Sequence, residues 1–157
     1  NDTVARSSPV QVGTSSWTSV SAGAGFSLAI RADSTLWAWG LDTGGQLGDN
    51  TITNKSSPVQ IGTSSWSQVA AGTSYSLAIR YDNALFAWGD NGNGQIGDNT
   101  IGARSSPVKI GSNSWTTVSV GYNNTFAIQL DKTLWAWGSN ISGQLGPCGW
   151  ALTLPKG

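Results

Sequence analysis

A 49-residue period constrains this chain more than any single motif. Ser7-Ser8-Pro9-Val10 returns as Ser56-Ser57-Pro58-Val59 and again as Ser105-Ser106-Pro107-Val108. Trp17, Trp66 and Trp115 keep the same step, as do Trp39-Gly40, Trp88-Gly89 and Trp137-Gly138. Residues 7–55 and 56–104 agree at 30 of 49 positions, which excludes chance similarity. Such a chain folds as a stack of like units, each burying its faces on its neighbours.

Each unit holds four short strand signals separated by turn residues. In the first they are 9–12, 17–21, 27–31 and 35–39. Leu28 and Ile30 share one face and Ala29 takes the other; Leu36 and Ala38 oppose Trp37 and Trp39. Apolar and aromatic residues at period two suit pleated ribbons covered on both sides. Asp33-Ser34, Asp82-Asn83 and Asp131-Lys132 mark tight hairpins between the third and fourth signals. Gly23, Gly72 and Gly121 follow the second signal, where a positive φ is expected. The longer connection after each Trp-Gly contains Gly45-Gln46-Leu47-Gly48, Gly94-Gln95-Ile96-Gly97 or Gly143-Gln144-Leu145-Gly146. It reads as an ordered loop pinned by one buried aliphatic side chain. No stretch has a helical period. The units are therefore 7–55, 56–104 and 105–146, with 1–6 ending a preceding loop and 147–157 a divergent tail. The pattern collapses there, with Pro147-Cys148 in place of Asp49-Asn50 and Asp98-Asn99. With no Met in the chain, it reads as a processed product or a segment of a longer protein.

Four antiparallel strands in about 50 residues is the size of a propeller blade. Trp-x-x-Val-x-Ala-Gly, then Leu-Ala-Ile, then Leu-Trp-Ala-Trp-Gly with Gly-Gln-Leu-Gly closely resembles the repeat of the regulator of chromosome condensation family. The resemblance covers residues 7–146. It implies an all-β fold of three four-stranded antiparallel blades of a β-propeller, partial or assembled with other blades, since the family usually has seven. The family includes a nucleotide exchange factor for a small GTPase, ubiquitin-ligase modules, a plant photoreceptor and bacterial inhibitors of β-lactamases. The Ser-Ser-Pro-Val-Gln-Val-Gly spelling and the lack of His resemble its bacterial or phage branch.

Composition narrows function by exclusion. Charged residues are only 10% of the chain, and Lys plus Arg balance Asp plus Glu at 8 each. That balance argues against nucleic acid or an anionic membrane as partner. No apolar run approaches the roughly 20 residues of a membrane helix. The chain has no His, the commonest general base and metal ligand. Cys148 stands alone and has no His to activate it. Asp49-Asn50 and Asp98-Asn99 suit loop caps better than calcium ligands. No paired carboxylates, metal set or cofactor motif appears, so a non-enzyme with no cofactor is expected. A surface of Ser, Thr, Asn and Gly suits an extracellular, cell-surface or virion setting.

The recurrent Trp residues are read as packing. The positions where the repeats disagree are the candidate binding residues, because a shared fold leaves them free to specialise. One cluster follows the Gly turn and contains Phe26, Tyr75, Tyr122, Asn123 and Asn124. The other follows Trp-Gly and contains Leu41, Asp42, Thr43, Asp90, Asn91, Asn140 and Ile141. Tyr, Asn and small residues are adaptable contact groups. The expected role is non-catalytic protein recognition or structural assembly, with other protein chains, further blades or copies of itself as partners. An inhibitor of a secreted enzyme is the alternative, and a guanine nucleotide exchange factor a weaker one.

Overall fold

The computed structural model describes residues 3–147. Asn1, Cys148, Trp150, Leu152 and Leu154, and with them most of the divergent tail, lie outside the described residues.

The described chain is all-β and contains eleven strands. The first sheet is built from β1 (Trp17–Ala22), β2 (Phe26–Arg31), β3 (Leu36–Gly40) and β4 (Lys55–Gln60). The second holds β5 (Trp66–Ala71), β6 (Tyr75–Arg80), β7 (Leu85–Gly89) and β8 (Arg104–Lys109). The third holds β9 (Trp115–Val120), β10 (Asn124–Gln129) and β11 (Leu134–Gly138). Strands pair antiparallel in chain order within each sheet. The expected hairpins form: Ser34, Asn83 and Lys132 adopt positive φ. Asp33 Oδ1 accepts the Thr35 amide at 3.1 Å, and Asp131 Oδ1 accepts the Thr133 amide at 3.0 Å.

Repeat and sheet are out of phase. All of β4 but Lys55 belongs to the second repeat in sequence, yet the strand hydrogen-bonds to β3 of the first sheet, with Trp37 opposite Gln60 and Ala38 opposite Val59. Arg104–Lys109 likewise completes the second sheet. Two consequences correct the sequence reading. Residues 9–12, the counterpart of these outer strands, form no strand, because the described chain holds no earlier sheet for them to join. The third sheet has three strands, because its outer strand would come from a following repeat.

The sheets stack face to face, meeting mainly where β5 lies against β1 and β2, and β9 against β5 and β6. The first strands are thus innermost and the sheets fan outward as blades do. One core lies between the first two sheets. Leu28, Ile30, Leu36 and Ala38 project from the first, and Trp66, Val69, Ala78 and Trp88 from the second. An equivalent core joins the second and third through Leu77, Ile79, Leu85, Ala87, Trp115, Val118 and Ala127. Large residues face small ones across each seam, which fills the space between flat surfaces. Side chains also tie the seams: Gln68 accepts the Val118 amide at 2.9 Å and donates to Thr117 at 3.2 Å.

Gly23 is required for space and not for a positive φ. A Cβ there would sit 2.1 Å from the Phe26 ring and 2.5 Å from the Gly72 carbonyl. Of the three Trp residues that precede a glycine, Trp88 is fully buried, whereas Trp39 and Trp137 are half-buried. Among the described residues no sheet precedes Trp39, and no outer strand lies beside Trp137.

Candidate functional site

Antiparallel order fixes where the loops go. The β1–β2 turn and the long β3–β4 connection leave the same end of the first sheet, and each later sheet repeats this. Both clusters of variable residues therefore lie on one rim. They touch: the Leu41 amide donates to the Gly25 carbonyl, Asp90 to Ser74 and Ser139 to Asn123, each at 2.8 Å.

The long connections are rigid. Asp42 Oδ1 accepts the Leu47 amide at 2.9 Å, Asn91 Oδ1 accepts Ile96 at 3.0 Å, and Asn140 Oδ1 accepts Leu145 at 3.0 Å. Gln46, Gln95 and Gln144 each accept an amide two residues earlier at 2.8 Å. Leu47 and Ile96 are buried beneath their loops, as the flanking glycines suggest. Asp49 and Asp98 cap the next turn through Thr51 and Thr100, and each pairs with a cation, Lys55 at 3.0 Å and Arg104 at 2.6 Å. Burial pushes the Asp49 carboxyl up, but the Thr51 and Lys55 hydrogen bonds pull harder and hold it below the ordinary carboxylate range. Asp42 goes the other way: burial raises it, only partly offset by the Leu47 amide.

The structure sorts the candidate residues. Tyr122, Thr43, Asn140 and Ile141 are exposed on the rim, Tyr122 at 75% and Ile141 at 93%. Leu41, Asp90, Asn123 and Asn124 are half-buried at its base. Phe26, Asp42, Tyr75 and Asn91 are buried and are not available as contact residues. Phe26 and Tyr75 are seam residues. The Tyr75 hydroxyl donates to the Asn124 carbonyl at 2.6 Å, and burial raises its pKa to about 12. Asn91 spends its amide on the carbonyls of Thr100 and Gly102 within its own loop. Phe26 and Tyr75 fill a seam, and Asp42 and Asn91 brace their own loops.

Ile52 and Ile101 were missed by the sequence reading. They stand exposed on the β3–β4 and β7–β8 connections respectively. Their recurrence suggests packing, but an aliphatic residue flanked by Thr51 and Thr53 has no core to join, and that was the available signal. Among the described residues no group of three or more His, Cys, Asp or Glu converges as metal ligands would. The rim offers aliphatic, aromatic and amide surface on a fixed scaffold, which suits contact with another macromolecule better than bond chemistry.

A family model described as "Regulator of chromosome condensation (RCC1) repeat" matches residues 33–79 and 82–128, and a second of the same description matches 17–46, 66–95 and 115–144. The chain belongs to the RCC1 repeat family. Each match of the second model spans the three inner strands of a sheet and the start of the rim loop. No functionally curated protein matches the chain significantly. Human WBSCR16 superposes on 82% of it with a TM-score of 0.74 at 22% identity. Prp20p of Saccharomyces cerevisiae, described by its binding to Gsp1p and histones, superposes on 83% with a TM-score of 0.71 at 22% identity. The C-terminal domain of gp131 from bacteriophage phiKZ covers 83% with a TM-score of 0.55 at 14% identity. The RCC1-repeat chain spans about a third of the length of the first two, 34% in each case, and 38% of the phage chain.

Proposed function

We propose that this chain is a non-catalytic recognition segment of an RCC1-type propeller that binds other proteins through its loop rim. We place it outside the cell or on a phage particle. One observation carries the reading: exposed residues that differ between repeats, Tyr122, Thr43, Asn140 and Ile141, share one rim on loops already fixed by internal hydrogen bonds. A surface that needs no further ordering loses little entropy on binding. The protein partners of Prp20p support a protein ligand, and the gp131 neighbour together with the low charge supports the phage setting.

A photocrosslinking residue placed at Tyr122 or Ile141, with Ser34 and Asn83 on the opposite rim as controls, tests this in the source cells or particles. Discrete protein adducts from the first rim alone are expected. Equal labelling from both rims overturns the assignment. Nucleotide release from a panel of small GTPases is expected to proceed at its uncatalysed rate, and acceleration overturns the non-catalytic reading.

A further inference from the structure

The second repeat carries Asn-Gly twice within its rim loop, at Asn91-Gly92 and Asn93-Gly94, and the other repeats carry it nowhere. Asparagine is a chemically labile side chain, and it is most labile before glycine, where no Cβ shields the following backbone nitrogen. The reaction needs only water. The glycine nitrogen gives up its proton and attacks the asparagine Cγ. A C–N bond forms, the Cγ–Nδ2 bond breaks, and ammonia leaves. Water then opens the cyclic imide at either carbonyl. One opening gives aspartate, and the other gives isoaspartate, in which the main chain runs through the side-chain carbons. Nothing is oxidised or reduced.

The fold treats the two dipeptides oppositely. Asn91 is fully buried. Its Oδ1 accepts the Ile96 amide at 3.0 Å, and its Nδ2 donates to the Thr100 carbonyl at 2.9 Å and the Gly102 carbonyl at 3.2 Å. Its Cγ cannot turn toward Gly92 without releasing these bonds, each left unpaired in a dry loop. Asn93 is exposed, and its side-chain amide makes no hydrogen bond among the described residues. The Gly94 nitrogen donates to the Asn91 carbonyl at 2.9 Å, and that is the one hydrogen bond the attack must break.

The neighbouring repeats show that the loop has no need of this side chain. Gly44 and Ser142 hold the place of Asn93. All three use only the backbone amide, which donates to Gln46, Gln95 or Gln144 at 2.8 Å. Gly44 is followed by Gly45, which packs against Arg104 and Ser105 of β8, yet Gly44 itself stays partly exposed. An outer strand laid beside this turn therefore leaves the position open.

We propose that Asn93 is a site of spontaneous deamidation and that Asn91, two residues away in the same loop, is held inert by its burial and hydrogen bonds. The product is a carboxylate on the rim. Asp49 and Asp98 are paired with Lys55 and Arg104, and Asp90 accepts Gln95 Nε2 at 2.9 Å, so the new charge is one that no rim group neutralises. The isoaspartate form also lengthens the main chain inside the turn closed by Gly94 and Asn91. The rim thus changes its surface chemistry with time, faster as the pH rises. The reaction itself does not depend on the rim's binding a partner; only its consequence for binding rests on that reading.

The test incubates the folded full chain at mildly alkaline pH in heavy-oxygen water, digests it in ordinary water and maps the label by tandem mass spectrometry. Only residues that reacted during incubation carry the label. Label is expected at position 93, in both aspartate and isoaspartate forms, with none at Asn91. A parallel sample in concentrated urea is expected to be labelled at both, because unfolding frees Asn91. The formal net charge is zero, so the added carboxylate is also read as an acidic shift in ion exchange. Asn93→Ser, which installs the residue of the third repeat, is expected to lose the label and the shift while keeping the near-ultraviolet circular dichroism of the unsubstituted chain. An unlabelled position 93 in the folded chain overturns the proposal. So does labelling of Asn91 in the folded chain at the rate of Asn93, or an acidic shift that survives Asn93→Ser. None of these outcomes bears on crosslinking from Tyr122 or Ile141, so failure here and failure of the rim reading are separable.

Discussion

Trp88 and Trp39 occupy the same position in successive repeats, yet they live in different surroundings. Trp88 is fully buried, and its indole N–H donates to the Gln46 carbonyl of the preceding loop. Trp39 is half-buried and finds no acceptor among the described residues. The local sequence around both is nearly the same, Ala-Trp-Gly. The difference teaches that in a repeat stack a residue's energetic weight is set by its neighbours along the stack as well as by its own unit.

That contrast can be broken most decisively by truncation. Trp88→Ala is expected to cost about 3–5 kcal/mol, while Trp39→Ala costs roughly half as much, in proportion to the area each side chain buries. Urea denaturation of both variants checks this, and equal midpoints break the comparison. Backbone substitution probes the same seam from the other side. Gly48 has φ +80°, and a Cβ on it would lie 2.6 Å from Trp88 Nε1. Gly146 has φ +73° and open space around it. Gly48→Ala is expected to lose about 2–4 kcal/mol through strain and overpacking, and Gly146→Ala about 1–2 kcal/mol from the left-handed backbone alone.

Smaller effects sharpen the comparison. Tyr75→Phe removes the seam bond to Asn124 and is expected to cost about 1–2 kcal/mol, leaving a seam like the one Phe26 already occupies. It also changes the alkaline response. The folded phenol has a pKa of about 12 against an ordinary value of 10.0, so its contribution is complete below pH 10 and declines as the pH rises toward 12. The variant should lack that decline in a series of denaturation midpoints. The smallest effect compares the loops of the first two repeats. Asp42 sits where Asn91 sits, buried, with its carboxyl raised chiefly by desolvation. A raised carboxyl favours the fold most below its unfolded value of 3.8 and loses that contribution as the pH rises through the folded value. Asp42→Asn is therefore expected to gain about 1 kcal/mol at neutral pH, by supplying the donor that Asn91 uses, and to gain less in acid. Thermal melts at neutral and acidic pH check it.

Much of this architecture was legible in the sequence. The period fixed the number of units, Asp33-Ser34 and its counterparts located the hairpins, and the Gly-Gln-Leu-Gly spelling announced Leu47 as buried. The phase between repeat and sheet was not legible. A period gives the length of a unit but not where hydrogen bonding cuts it, and Ser56-Ser57-Pro58-Val59 reads equally well as a first or a last strand. The rim was only half legible. Variation marked both loop clusters, but it could not separate Tyr122, which faces solvent, from Tyr75, whose hydroxyl closes a seam. Recurrence in turn concealed Ile52 and Ile101.

The offset of β4 and β8 has a further consequence, for how such a molecule changes length. An in-frame gain or loss of 49 residues, wherever its breakpoints fall, regenerates the same interior: three strands from one repeat closed by one strand from the next. No junction has to be redesigned, because every junction is a copy of one already tested by folding. The inherited unit and the folded unit differ, and copy number can drift while each sheet in the middle remains complete.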